Sequence, residues 1–304
     1  MDFAGKIAVI TGGGTGMGRE LARQLIEQGC DVAMCDVSAD SLAESVAQCE
    51  SIAPQGIRVT SFICDVSDEA AMHRFADHVQ DTFETQHINL LFNNAGIAGG
   101  GSFVTEEREK WDKVFDVCWG GVYNGARAFM PMLVASEEGH IANTSSINGI
   151  WASAGPNAAH TAYCAAKFAV RGFTEALITD LRLNAPHVKA SVVFPGHVGT
   201  SIVLNSGYSK DGNRSILRMM GTKEQSMSDD EVADTVESLG ATFRDDAPTT
   251  AAEAATVILD GVKAGQWRIL IGHDAEMLDQ LVREDPTEAY EAPFVERWAR
   301  LRDA

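Results

Sequence analysis

The stretch TGGGTGMG, Thr11–Gly18, limits what this chain can become more than any other. It follows the apolar run KIAVIT and leads straight into MGRELARQLIEQG, where Met17, Leu21 and Leu25 repeat at four and Gly29 supplies a stop. A strand therefore passes into a helix through glycines. Glycine lets backbone come close to a ligand, and the free amides of a helix start favour a phosphate. The spacing fails G-x-G-x-x-G, because Arg19 stands where the third glycine belongs. It fits T-G-x-x-x-G-x-G through Thr11, Gly12, Gly16 and Gly18. An ordinary tight turn is the plain alternative; the place between a first strand and a first helix favours dinucleotide binding, with Thr15 and Met17 inside the turn.

The rhythm set there continues. KIAVIT, DVAMCDV, VTSFICDV, INLLFNNAG, HIANTSS, KASVVFPG and WRILIG are short, rich in β-branched residues and mostly apolar on both faces. Strands covered on both sides by helices have this character. Amphipathic segments separate them. The pattern predicts a three-layer, doubly wound α/β fold with a seven-stranded parallel sheet, in a single domain over residues 1–304. Two regions depart from it. Residues 197–240, with NSGYSKDGNRS and the acidic SMSDDEVADTVE, read as a substrate lid or as surface elaboration. Residues 282–304 read as a C-terminal arm of the kind that often packs on a neighbouring subunit.

A formal net charge of -19 makes the chain a poor partner for nucleic-acid phosphates or for an anionic membrane surface. Cys30, Cys35, Cys49, Cys64, Cys118 and Cys164 form no CxxC pair, so no metal site is expected. Buried free thiols suit a reducing compartment. The N-terminus enters a strand almost at once, without the pattern of a signal peptide, and no apolar run approaches the ~20 residues a membrane helix needs. These readings together point to the cytoplasm.

Asp36 ends the second strand, about twenty residues past the glycine turn, where a carboxylate can accept hydrogen bonds from a ribose diol. It would repel a 2′-phosphate, and no basic residue adjoins it in MCDVSAD, so NAD is expected rather than NADP. A helix cap is the alternative role, one that Ser38 could also fill. Further on, TAYCAAKFAV places Tyr163 four residues before Lys167 on an Ala-rich helix. A nearby ammonium stabilises phenolate, and phenolate is a strong base. Taken alone, the pair is equally a packed phenol beside a solvated lysine.

In order, TGGGTGMG, the CDV ending at Val66, NNAG from Asn93 to Gly96, the serine pair of NTSSING, YCAAK and PGHVGT make residues from about Gly5 to Thr200 resemble the short-chain dehydrogenases/reductases. That resemblance implies a Rossmann fold and an oxidoreductase. It implies that Gly12, Thr15, Gly16, Met17 and Gly18 cradle the cofactor with Asp36, and that Asp65 and Val66 lie at the adenine. It implies that Asn93, Ala95 and Gly96 run along the cofactor, and that Pro195, Gly196, Val198 and Thr200 cup the nicotinamide carboxamide. Ser146 would hold the substrate oxygen, Tyr163 would be the acid/base with Lys167 supporting it, and Tyr163 and Lys167 would both also contact the cofactor. Members are usually dimers or tetramers built on the long helices, here around Asp112–Ala135 and Tyr163–Leu183.

Two departures stand out. In FDVCWGGVYNG, aligned on Val117 and Gly121, Cys118 occupies the place of the family's asparagine, which is thought to hold a water in the proton relay. A thiol is weak both as donor and as acceptor. Asn124 lies about 240° round a helix from it and cannot substitute. The stretch from Ser146 to Tyr163 is also longer than usual and brings in Trp151, Ser153, Asn157 and His160. These, with His197, are substrate candidates, although a histidine so placed more often caps or packs. The lid adds Ile202, Leu204, Tyr208, Ile216, Leu217, Met219 and Met220. The expected reaction interconverts a hydrophobic secondary alcohol and its ketone. The alternative, suggested by Cys118 alone, is an NAD(H)-binding sensor or scaffold with weak catalysis.

Overall fold

The computed structural model describes residues 1–153, 158–206, 210–219 and 226–302. Its elements are β1 (Ile7–Thr11), α1 (Gly16–Glu27), β2 (Asp31–Asp36), α2 (Ala39–Ile52), β3 (Val59–Ile63), α3 (Glu69–Phe83), β4 (Leu90–Asn93), α4 (Arg108–Phe115), α5 (Gly121–Val134), β5 (Gly139–Thr144), α6 (Thr161–Asn184) and β6 (Val188–Pro195). There follow β7 (Val198–Gly199), α7 (Ile202–Ser206), α8 (Lys210–Met219), α9 (Asp229–Asp245), β8 (Thr249–Thr250), α10 (Ala251–Ala264), β9 (Arg268–Ile271), α11 (His273–Glu284) and α12 (Ala292–Arg302). A π-helical turn, Asp116–Gly120, joins α4 to α5, and a 3-10 turn, Ile147–Gly149, follows β5.

One parallel sheet has the order β3-β2-β1-β4-β5-β6-β9. Its strands are the seven apolar runs of the sequence. β1 shows why those runs are apolar throughout. Ile7 and Val9 join one core with Phe75 of α3 and Phe129 of α5; Ala8 and Ile10 join another with Leu21 and Leu25 of α1 and Ile258 of α10. Side chains alternate across a strand, so a strand between two helical layers needs apolar residues at every position. From β1 the order runs outward to β2 and β3 on one side and to β4, β5, β6 and β9 on the other. The crevice at such a switch opens at the carboxyl ends of the strands, where the glycine turn lies.

Residues 197–240 are more ordered than a loop reading suggests. Val203 of α7, Ile216 and Leu217 of α8, and Val232 and Val236 of α9 bury one another in a small core of their own. Ile216 and Leu217, expected on a substrate wall, are therefore internal to this unit. Leu204 packs on α9, where a Cβ added at Gly240 would come 2.4 Å from Leu204 Cδ2. The segment KDGN at the start of α8 reads as a turn; burial of the helix's apolar face overrides that local preference. Asn157, Tyr208 and Met220 lie outside the described residues, as does the side chain of Met219. The pairing of β7 with β8, two residues each, leaves no alternation for a sequence to show.

The C-terminal arm folds back on its own chain. Trp151, expected at the substrate, is instead 2% exposed and packs with Leu278, Leu281, Phe294 and Trp298. Its indole N–H donates to Ala289 O at 2.6 Å, and the Ala152 N–H donates to Tyr290 Oη at 3.1 Å. A buried indole needs an acceptor as well as apolar company, and this tail supplies both. No helix among the described residues is long and apolar enough to cross a membrane. All six cysteines are free and buried.

Trp151→Ala should cost about 3–5 kcal/mol in urea unfolding and render the tail sensitive to limited proteolysis. A loss below about 1 kcal/mol would mean that the tail is anchored elsewhere.

Candidate functional site

Two turns meet at the switch in strand order. Thr11, the last residue of β1, accepts hydrogen bonds on Oγ1 from the N–H groups of Asn94 (3.0 Å) and Ala95 (3.1 Å). Asn94 Nδ2 donates back to Thr11 O at 3.1 Å. The approach is so close that a Cβ at Gly12, whose φ is 67°, would lie 2.8 Å from Ala95 Cα. Gly18 seats the start of α1 on the turn: a Cβ there would come 2.0 Å from Gly12 O. These glycines are required by backbone packing before any ligand is considered.

Beside this junction lies a cavity of about 440 Å3. Its walls include Gly12, Thr15, Gly16 and Met17 from the turn, Asp36 after β2, Asp65 and Val66 after β3, Ala95 and Gly96 after β4, and Thr200. Asp36 Oδ2 accepts the Gly14 N–H at 2.9 Å and Oδ1 accepts the Ser38 N–H at 3.0 Å. The side-chain cap of α2 is Ser38, which leaves the carboxylate on the cavity wall. Arg19, the first cation after the turn, is engaged by Gly14 O, Ser45 Oγ and both carboxylate oxygens of Glu44. Burial pushes the Asp65 carboxyl up, but hydrogen bonds from Ser67 and Lys113 outweigh it and hold it below its usual range. Across the mouth, Asn205 Nδ2 of α7 donates to Thr15 Oγ1 at 3.0 Å and the Ala98 N–H donates to Ser206 Oγ at 2.7 Å.

Lys167 and Cys118 meet at the Gly96 end. A Cβ at Gly96 would stand 3.6 Å from Lys167 Nζ and 3.7 Å from Cys118 Sγ. Lys167 is 2% exposed, its ammonium donates to Thr144 O at 2.9 Å, and Nζ lies 5.3 Å from the centre of the Tyr163 ring. Burial pushes the lysine down, and the Cys118 sulfur pushes it back up. Enclosure of the Tyr163 hydroxyl pushes the phenol well above its ordinary value, Cys118 adds to this, and a hydrogen bond with Ser146 opposes it. In the protein by itself, burial thus opposes the tyrosine activation for which Lys167 is one expected source. Ser146 Oγ accepts the Asn148 N–H at 3.1 Å. Cys118, in the π-helical turn, donates to Ile97 O at 3.3 Å. π-turns inside helices are frequent at functional sites.

Other expected residues sit elsewhere. Asn93 is buried behind the cavity, where Nδ2 donates to Asn143 Oδ1 at 2.8 Å and its side chain abuts Gly125. It ties β4 to β5 and does not line the cavity. Gly18, Pro195, Gly196 and Val198 are also absent from the cavity wall: Val198 is in the core, and Gly196 is pressed against Asp274, whose Oδ1 would lie 2.1 Å from an added Cβ. His197 is tied away from any substrate, with its N–H donating to Asp274 Oδ2 and its ring Nε2 bonded to Phe243 O at 2.7 Å. Ser153 O accepts from Asn148 Nδ2 at 2.9 Å, which braces the loop after Ser146. Asn124 Nδ2 donates to Val66 O, far from the Lys167 end. His160 stacks flat on Tyr163, with ring centroids 4.5 Å apart and planes at 5°. Sequence reasoning missed Asn94, although NNAG contained it, and missed Lys113, Asn205 and Ser206, which no local pattern marks.

Residues 6–210 match the family described as short chain dehydrogenase. A Mycobacterium tuberculosis protein bearing the name oxidoreductase SadH is 35% identical over 281 residues, spanning 92% of this chain and 91% of its own. A solved short-chain dehydrogenase/reductase from Burkholderia phymatum, in complex with NAD, is similar with a TM-score of 0.76 and 30% identity, covering 94% of this chain and 95% of that one. A metagenomic short-chain oxidoreductase in complex with NADP has a TM-score of 0.55 and 27% identity, covering 79% of this chain and 93% of that one.

Burial pushes His160 down from 6.5 to about 4. The unfolded chain then takes up a proton that the folded chain refuses, so this stability is whole above pH 6.5 and drains away as pH falls towards 4. His160→Phe should flatten the pH dependence of unfolding free energy between pH 6 and 5 by up to about 1.4 kcal/mol per pH unit. His140, pushed by burial to about 3, contributes equally in both proteins. An unchanged slope would place the imidazole in water.

Proposed function

The chain belongs to the short-chain dehydrogenase family of oxidoreductases, and on that premise we propose that it interconverts a hydrophobic secondary alcohol and its ketone with NAD. One observation carries this reading: Lys167 stands beside Gly96, a wall residue of the cavity that begins at the glycine turn, with Tyr163 next to Lys167 and Ser146 hydrogen-bonded to Tyr163. When bound, a nicotinamide dinucleotide would accept or donate the hydride. The residues fit such a group. The turn offers amides at a helix start, Asp36 offers a carboxylate for a ribose diol, and Asp65 and Val66 offer a wall for adenine.

Each remaining step falls to the protein. Ser146 accepts the Asn148 N–H on a lone pair, which leaves its own proton to point at the substrate oxygen. Tyr163 removes the alcohol proton from that oxygen, or returns one to it in the reverse direction. The Lys167 ammonium, fixed by Thr144 O, lowers the cost of the phenolate that burial opposes. Cys118 occupies the relay position and donates a hydrogen bond to Ile97 O, so the relay to solvent would pass through water held by backbone carbonyls rather than by a side-chain amide.

The NAD preference rests on Asp36 and on Arg19, whose charge is engaged by Glu44 and is not free to meet a 2′-phosphate. The apolar substrate rests on Ile97, Val117 and Ile202 in the cavity wall. A homodimer or homotetramer built on α5 and α6 is supported by exposed Tyr123, Val134, Phe168 and Leu183.

A panel of alcohols and ketones, followed by nicotinamide absorbance with both cofactors, tests the reading. Tyr163→Phe should lower turnover by roughly 10²-fold or more while cofactor binding persists. NADPH bound as tightly as NADH would overturn the role of Asp36. Cys118→Asn should retain or raise turnover; complete loss in a folded protein would give the thiol a task of its own. NADH binding without turnover of any substrate, in both wild type and Cys118→Asn, would leave a sensor in place of an enzyme.

A further inference from the structure

His160 is the residue before α6, and its imidazole covers the face of the Tyr163 ring. Both ring nitrogens are sealed from solvent, and neither has a hydrogen-bond partner among the described residues. Buried polar groups almost always find partners, so two such atoms against the reacting phenol need a reason. Capping does not provide one. The His160 side chain makes no cap bond, and the first amides of α6, at Thr161 and Ala162, already donate to Gly101 O and Gly100 O. Packing does not provide one either, because a phenyl ring would stack as well and leave nothing unpaired.

The remaining candidate is a partner that arrives with the substrate. Burial holds the imidazole neutral, with its value near 4, so the ring offers one N–H donor and one bare nitrogen acceptor. Such a ring suits an uncharged hydroxyl or carbonyl better than a carboxylate or an ammonium. Its ring centroid lies 4.5 Å from that of Tyr163, which places the imidazole beside the group proposed, with Ser146, to hold the reacting oxygen. Resting on the dehydrogenase reading above, we infer that His160 recognises a second, uncharged oxygen on the substrate, carried on the carbon next to the reacting one or the carbon after it. The substrate class narrows from hydrophobic alcohols and ketones to hydrophobic hydroxyketones, diketones and diols.

Matched ketones that differ by one hydroxyl test this: acetoin against butanone, and benzoin against deoxybenzoin, each reduced with NADH. Wild type should prefer the hydroxyketone of a pair by at least about tenfold in kcat/KM. His160→Phe keeps the flat stack and removes both nitrogens. It should lose that preference, with the hydroxyketone slowed by at least about tenfold more than the plain ketone. His160→Gln, which keeps a donor and an acceptor, should retain part of the preference and serves as the second variant should the phenylalanine protein fail to fold. No preference in wild type, or a His160→Phe protein that slows both ketones equally, would overturn the inference and leave the ring as packing under Tyr163. If wild type binds NADH and reduces or oxidises nothing in the wider panel, the dehydrogenase reading itself has failed, and this proposal falls with it. Turnover of plain ketones without discrimination removes the proposal alone.

Discussion

The clasp between Thr11 and the Asn94–Ala95 backbone is the contact on which the rest of the site depends. One hydroxyl takes two amides that would otherwise end β4 unpaired. In doing so it draws the turn after β4 against the turn after β1 until only glycine fits at position 12. Everything on the reacting side follows from that approach. Gly96 is carried forward with Ala95, and its missing side chain leaves the space in which Lys167 Nζ and Cys118 Sγ come together. Everything on the cofactor side follows as well, since the same turn presents Gly14 N–H to Asp36 and starts α1. A sheet that changes direction at β1 would have a crevice in any case. The clasp gives it an exact width and two chemical ends.

At one of those ends sits a buried ammonium with unusual company. Lys167 has a backbone carbonyl, a thiol and an aromatic face around it, and no carboxylate among its described contacts. Isolated charge in such a place is costly, which is why burial pushes the lysine down. Thr144 O and the Tyr163 ring each recover part of that cost, as do the dipoles of the surrounding backbone. An asparagine in the place of Cys118 would bring an acceptor and two donors into a space where Cys118 is now fully enclosed and makes one weak bond. The thiol asks for less solvation and provides less.

The architecture was legible in the sequence because its signals are local and repeated. Each strand reads as a short, mostly apolar run, since a strand between two helical layers turns both of its faces to the core, and the glycine turn reads as glycine because backbone touches backbone there. The groups proposed for catalysis were picked out by the order of motifs along the chain. What was not legible depends on long-range packing. Nothing local separates Asn93, which faces the core, from Asn94, which closes the clasp; the pleat alternates them and only the register decides. Trp151 and His197 are polar-tipped rings near the active centre in sequence, and both find their acceptors in segments remote along the chain, at Ala289 and Phe243. The helices of residues 197–240 owe their existence to one another, which a residue-by-residue propensity does not register.

That contrast has a consequence for how this chain selects a substrate. The motifs proposed to bind the cofactor and move the proton are encoded locally. The walls around the reacting carbon are instead held from far away: the loop after Ser146 by Trp151 and the tail beyond α11, the mouth by Asn205 and Ser206 of α7. Ser215 and Arg218 of α8 both bind Glu106, and so latch the insertion to the loop after Gly101. Substitutions in such supports can reshape the cavity without touching Ser146, Tyr163 or Lys167. Within this frame His160 is the exception, because it is joined to the catalytic tyrosine by three residues of one helix start rather than by a distant anchor. Its position relative to the reacting oxygen is therefore fixed by local geometry. The recognition role proposed for it stays tied to Tyr163 even when the supports around it vary.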